Sequence, residues 1–145
     1  MSNVIDVAQY ILDKIGATST WKLQKLVYYS QAWHSVWHDK TLFSAQIEAW
    51  ANGPVCRKLY DQHQGKFTIK NIVGGDGSRL KEKEKQTIDA VVTFYGKYNG
   101  QQLSDLTHSE EPWKKARIGM GLAERGNAEI SLESMNEYYS SLKSA

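Results

Sequence analysis

The stretch Trp21–Pro54, WKLQKLVYYSQAWHSVWHDKTLFSAQIEAWANGP, holds four of the five tryptophans together with Tyr28, Tyr29 and Phe43. Leu23, Leu26, Val27, Ser30, Trp33, His34 and Trp37 recur at helical spacing, which predicts a long helix with a bulky apolar face. Each buried Trp or Tyr ring removes roughly 150–250 Å² from water, at about 25 cal/mol per Å². No other segment can supply as much, so this helix is expected at the centre of the core. Thr18-Ser19-Thr20 marks its start, because hydroxyl side chains accept from the free N–H groups of a first turn. Gly53-Pro54 closes the block, and Pro54 is expected at the first position of the next helix.

Working outward, Val4, Val7, Ala8, Ile11, Leu12 and Ile15 form one stripe of a first helix, capped by Asn3 and stopped by Gly16. Gln46–Trp50 alternates and reads as a short strand. VCRKLYDQHQ, after Pro54, reads as a helix with Val55, Leu59 and His63 inward. Phe67–Ile69 and Ile72-Val73 suit a small extended segment whose Gly74-Gly75-Asp76-Gly77 tip is expected to be flexible. A helix follows from Lys81 to Tyr98, a short one from Gln101 to His108, and another opens at Pro112 over PWKKARIGM. Gly119, Gly121 and Gly126 mark a loop, and Ser131 begins a last helix carrying Leu132, Met135, Tyr138, Tyr139 and Leu142. The expected fold is mainly α: one domain over residues 1–145, a compact bundle of five to seven helices around the aromatic helix, with a minor β element.

The totals set limits on function. At 145 residues with 41% hydrophobic and 23% charged residues, the chain can bury a sizeable core. A net charge of +2 with interspersed signs argues against a domain held to nucleic acid mainly through phosphates. A single cysteine, Cys56, forbids an intrachain disulfide, and no apolar run approaches the length of a membrane span; both point to the cytoplasm. Composition leaves the oligomeric state open.

Few residues suggest chemistry. His34 and His38 lie four apart on the long helix, but no further metal ligand accompanies them, so no metal or cofactor is assigned. Thr107-His108-Ser109-Glu110-Glu111 gathers a hydroxyl, an imidazole and carboxylates. Neighbours on one turn seldom converge as a triad, and capping of the helix at Pro112 explains the hydroxyls and acids more simply. A hydrolase would need His108 joined to a nucleophile in a pocket; no catalytic residue is assigned. Lys114, Lys115 and Arg117 make a short basic cluster that a nucleic-acid-binding regulator would have to extend. Five Trp and eight Tyr exceed what a helical core of this size needs. Those that remain exposed are expected to form a protein-binding surface, with Tyr28, Trp33, Trp37, Lys114 and Arg117 as candidates.

Four stretches together resemble the Panacea antitoxin domain, found in SocA-like antitoxins and phage-associated GepA-like proteins. They are KLQKLVYYSQAWH (Lys22–His34), LFSAQIEAWANGPVCRKLY (Leu42–Tyr60), LSDLTHSEEPWKKAR (Leu103–Arg117) and EISLESMNEYY (Glu129–Tyr139). The resemblance implies a helical antitoxin that neutralises a cognate protein toxin by direct contact, without catalysis, and it admits delivery of the toxin to a protease. It also implies that Lys22, Gln24, Lys25, Leu26, Trp50, Gly53, Pro54, Val55, Thr107, His108, Pro112 and Trp113 set the shape of the domain.

Overall fold

The computed structural model describes residues 1–121 and 124–143. Helix α1 (Val4–Ile15) starts where Asn3 Oδ1 accepts from Ile5 N and stops at Gly16, whose φ is +79°. The central helix α2 (Thr20–His38) starts where Ser19 Oγ accepts from Lys22 N at 3.1 Å, as the hydroxyl-rich link predicts. Its burial goes beyond one face: every residue from Leu23 to Ala32 is buried. Helix α1 packs on it, as do α4 (Glu82–Tyr95), α5 (Gly100–His108), α7 (Leu132–Lys143) and strand β3 (Gly53–Cys56).

Total enclosure puts polar side chains of α2 inside the protein, where each needs a partner. Gln24 behaves like a neighbouring strand. Its Oε1 accepts from Cys56 N at 2.9 Å, and its Nε2 faces Cys56 O at 3.3 Å and His63 Nε2 at 2.9 Å. Gln31 repeats the device, accepting from Leu42 N and donating to Phe43 O. Ser30 donates back to Leu26 O. Lys25, 2% exposed, is the buried cation of the helix, and no carboxylate is set against it.

The segment after Gly53 departs from the sequence expectation. Pro54 and Val55 do not open a helix; they lie in β3, which pairs antiparallel with β2 (Ile47–Trp50) in the register Ile47↔Cys56 to Trp50↔Gly53. Gly53 at φ +118° turns the chain back on itself, so Pro54 lands on an edge strand, where its missing N–H is tolerated. Helix α3 begins only at Arg57 and runs to His63. The three-stranded sheet has the order β3-β2-β5, with β5 at Glu129–Ile130. A second ribbon pairs β1 (Thr18–Ser19) with β4 (Thr68–Ile69).

The Gly-rich tip is fixed in place. Residues Gly77–Arg79 form a 3₁₀ turn against α1, and Asp6 Oδ1 accepts from Asp76 N at 2.9 Å. A Cβ on Gly75 would lie 2.7 Å from Ile5 O, so glycine is what lets this tip seat on the helix. Helix α4 opens on a capping contact, Lys81 N donating to Glu84, and ends at Tyr95, short of Tyr98. Pro112 does open a helix, α6 (Glu111–Ala116), but it ends sooner than expected: the backbone leaves helical geometry at Arg117, and Gly119 follows at φ +90°. The glycine loop that follows includes residues 122–123, outside the described residues. No described helix is long and apolar enough to cross a membrane.

Candidate functional site

Three separate segments converge on the side chain of Lys25. From α2 the amine reaches between β3 and the end of α5, leaving the residue 2% exposed. A Cβ built on Gly53 would lie 2.6 Å from Lys25 Cε, 3.3 Å from its Nζ and 3.0 Å from Thr107 Oγ1. The amine and the hydroxyl therefore share one small space that exists because residue 53 has no side chain. Burial pulls the Lys25 ammonium down to about 7, and no carboxylate acts on it in opposition.

His108 forms the next wall. Its ring stacks on Trp113 at 4.0 Å between centroids and 19° between planes. Its Nε2 is buried without a hydrogen-bond partner among the described residues. Burial lowers its pKa, the charge of Lys25 lowers it further, and the exposed Asp105 and the Ala51 backbone oppose. The Trp50–Gly53 hairpin lies across this site. Trp113 Nε1 donates to Trp50 O at 2.8 Å, and Ser104 Oγ donates to Asn52 O. The Thr107 hydroxyl donates to Ser104 O at 2.8 Å, so its proton is not directed to His108. Thr107 and His108 are not arranged as nucleophile and base.

The remaining motif residues fasten elements together. Lys22 Nζ donates to Gly96 O at 2.6 Å, satisfying the C-terminal end of α4. Leu26, Pro54, Val55 and Pro112 are buried. Trp50 is half-buried; its Nε1 donates to Glu48, and the Arg57 guanidinium lies over the ring.

A second feature is aromatic and lies at the surface. Trp37, 38% exposed, stacks on Trp33 at 5.1 Å. Trp33 Nε1 donates to Tyr95 OH at 2.9 Å, and its ring leans on Tyr139 at 5.5 Å. Phe94, 58% exposed, sets its edge on Tyr95, and Lys97 Nζ lies over both Phe94 and Tyr98. Tyr138 meets Tyr139 edge-on, one helical turn before the exposed Leu142. The ring contacts are continuous across α2, α4 and α7.

Of the five proposed contact residues, Trp33 and Trp37 lie in this surface and Lys114 is exposed on α6. Tyr28 and Arg117 must be removed as surface candidates. Tyr28 is 1% exposed and hydrogen-bonded to Tyr139 OH, because α7 covers that side of α2. Arg117 is also buried and donates to the carbonyls of Ala49, Gly121 and Glu124, tying the loop to the sheet. The basic cluster is thereby reduced to Lys114 and Lys115. His34 and His38 do adjoin, 4.8 Å between ring centroids, but His34 is engaged by Thr87 Oγ1 at 2.8 Å. No group of three or more His, Cys, Asp or Glu suited to a metal occurs among the described residues. Cys56 is buried, and burial raises its thiol pKa, as for an inert packing residue.

The sequence reading missed Glu110. Its carboxylate accepts from Tyr29 OH and Tyr139 OH, both at 2.7 Å, and Tyr29 stacks on Tyr95 at 3.9 Å. Because Tyr139 spends its proton on Glu110, Tyr28 is the donor to Tyr139. The acids ahead of Pro112 read equally well as solvated partners of a helix N-terminus. Nothing local signals that one of them turns inward.

A family model described as "Antitoxin SocA-like, Panacea domain" matches residues 23–114. The chain belongs to that family. The matched span of this Panacea domain contains Lys25, Gly53, Thr107, His108 and Trp113, and so all the side chains that meet beneath the hairpin. No curated protein and no solved structure gives a match.

Proposed function

We propose that this Panacea domain is an antitoxin that neutralises a cognate protein toxin by direct contact. The toxin docks on the aromatic surface around Trp33 and Trp37. Family membership supports the antitoxin role. The observation that carries the choice of surface is the set of ring contacts linking α2, α4 and α7, from which Trp37 and Phe94 project outward, with Leu142 exposed one turn beyond Tyr138. Soluble monomers seldom leave such a patch uncovered, and Trp and Tyr are the usual energetic anchors of protein interfaces. Arg117 facing inward weighs against the alternative of a phosphate-tracking regulator, because the basic cluster does not form.

Co-expression with the product of an adjacent toxin gene tests the reading, scored by growth rescue and by the affinity of the purified pair. Trp37→Ala is expected to weaken the complex roughly 30-fold, the equivalent of about 2 kcal/mol at a central anchor. Its own melting should hardly move, since the ring is already partly in water. Rescue without any complex would end the direct-contact reading. A Trp37→Ala, Phe94→Ser variant that neutralises as well as wild type would move the contact to another face.

A further inference from the structure

The Lys25 site has a chemical incompleteness that the antitoxin reading does not use. A buried amine with no ion pair is costly, and a buried imidazole nitrogen without a partner adds to that cost. The amine lies against Gly53 of the Trp50–Gly53 hairpin, and the His108 ring meets both the Ala51 backbone of that hairpin and the charge of Lys25. Gln24 and Gln31, buried on the same helix, each pair both the amide oxygen and the amide nitrogen, so burial in α2 is ordinarily compensated. What the two groups share is the capacity to donate: three N–H bonds from an ammonium and, once the ring takes up a proton from the entering acid, one from the imidazole Nε2.

We propose that Lys25 and His108 form a recognition site for a single oxyanion, a carboxylate or a phosphate, admitted when the Trp50–Gly53 hairpin lifts. The anion takes hydrogen bonds from Lys25 Nζ and His108 Nε2 and supplies the negative charge the site lacks. Thr107 forms the opposite wall, and Trp113 holds the imidazole plane from behind. The hairpin suits this motion: two hydrogen bonds, from Trp113 Nε1 and Ser104 Oγ, hold its turn, and Asn52 at the tip is exposed. Gly53 at φ +118° is the residue about which the strand reverses. The oxyanion is either a free phosphate-type ligand or an acidic side chain of a bound protein.

The test uses the full chain, without any toxin, so its outcome is separate from that of the antitoxin reading. Thermal unfolding is followed at neutral pH in sodium phosphate, sodium acetate and sodium chloride of equal ionic strength. The His108 ring nitrogens are observed in parallel by NMR. Phosphate or acetate is expected to raise the melting midpoint saturably, by roughly 5 °C at about ten times its Kd. The His108 Nε2 resonance should move over the same concentration range. Lys25→Met, which fills the space without a charge, should remove the increment, and His108→Gln should weaken binding roughly tenfold. Saturation by phosphate alone assigns a phosphoryl ligand, and saturation by acetate assigns a carboxylate donor. An equal increment in wild type and Lys25→Met, or no saturable increment over chloride in either anion, overturns the proposal.

Discussion

Glutamine side chains close the irregular parts of this chain one residue at a time. Gln9 accepts from Ile72 N, Gln24 from Cys56 N and Gln31 from Leu42 N, so two loop segments and the free edge of β3 borrow an amide from a helix. A primary amide suits this task because it carries a donor and an acceptor, as the peptide group does. Glu110 plays a related part with charge. Burial raises its pKa, while the Tyr29 and Tyr139 hydroxyls pull it back. A carboxyl group with a raised folded-state pKa favours the fold most when protonated and less as pH rises through that value. Glu110→Gln keeps an acceptor for both tyrosines without the buried charge. It is therefore expected to match wild type or exceed it by up to about 1 kcal/mol in urea unfolding at neutral pH. Glu110→Ala strands both hydroxyls and should cost about 3–5 kcal/mol. If the two variants were equally destabilised, the carboxylate would not be acting as a shared acceptor. None of these polar pairings was legible beforehand, because a Gln or Glu at a helical position reads as surface until something encloses the helix.

Among the elements, the hairpin of β2 and β3 is where local sequence signals and tertiary structure diverge. Helix stops, caps and apolar stripes correctly located α1, α2, α5 and α7, because each is written within a few consecutive residues. Gly53-Pro54 was misread because Pro also suits an edge strand, and the choice between the two depends on β2 and α2 lying beside it. Gly53 meets two independent demands, a left-handed φ and the volume of Lys25 Cε. Gly53→Ala is expected to cost roughly 3 kcal/mol, with about 1–2 of that from φ and the rest from the clash. Shortening the neighbour in a Lys25→Ala, Gly53→Ala pair should return the clash portion and leave the φ portion. Full additivity of the two losses in a double-mutant cycle would mean that the close approach does not constrain the hairpin.

At the scale of the molecule, the mainly helical class and the central place of α2 followed from where the aromatics cluster. The candidate site was legible only as scattered motifs. That Lys25, Gly53, Thr107 and His108 meet at one point depends on contacts across about half the chain, and spacing alone cannot give such distances. The whole fold also keeps several titrating groups neutral, which gives its stability a definite pH dependence. Burial, then the charge of His38, lowers His34 from its ordinary 6.5 to about 4; burial also lowers His63 and His108. Lys25 falls from 10.5 to about 7. Each of these groups binds its proton more tightly when unfolded, so stability rises with pH through the interval between its folded and unfolded values. Glu110 opposes this trend on the acid side. On the alkaline side, burial raises Cys56 above 9.0 and Tyr28, Tyr29, Tyr95 and Tyr139 above 10.0. Those five groups favour the fold until the unfolded chain begins to lose their protons. The expected profile therefore climbs from about pH 4, continues past neutrality and turns over at about pH 9–10. Lys25→Met should raise stability at neutral pH by roughly 2–4 kcal/mol. It should also flatten the climb above pH 7, where Lys25 alone among the groups with lowered values is still titrating. Urea midpoints measured across that range check both statements. A maximum on the acid side of neutrality, or a Lys25→Met profile parallel to wild type above pH 7, would show that the amine is not held uncompensated in the folded protein.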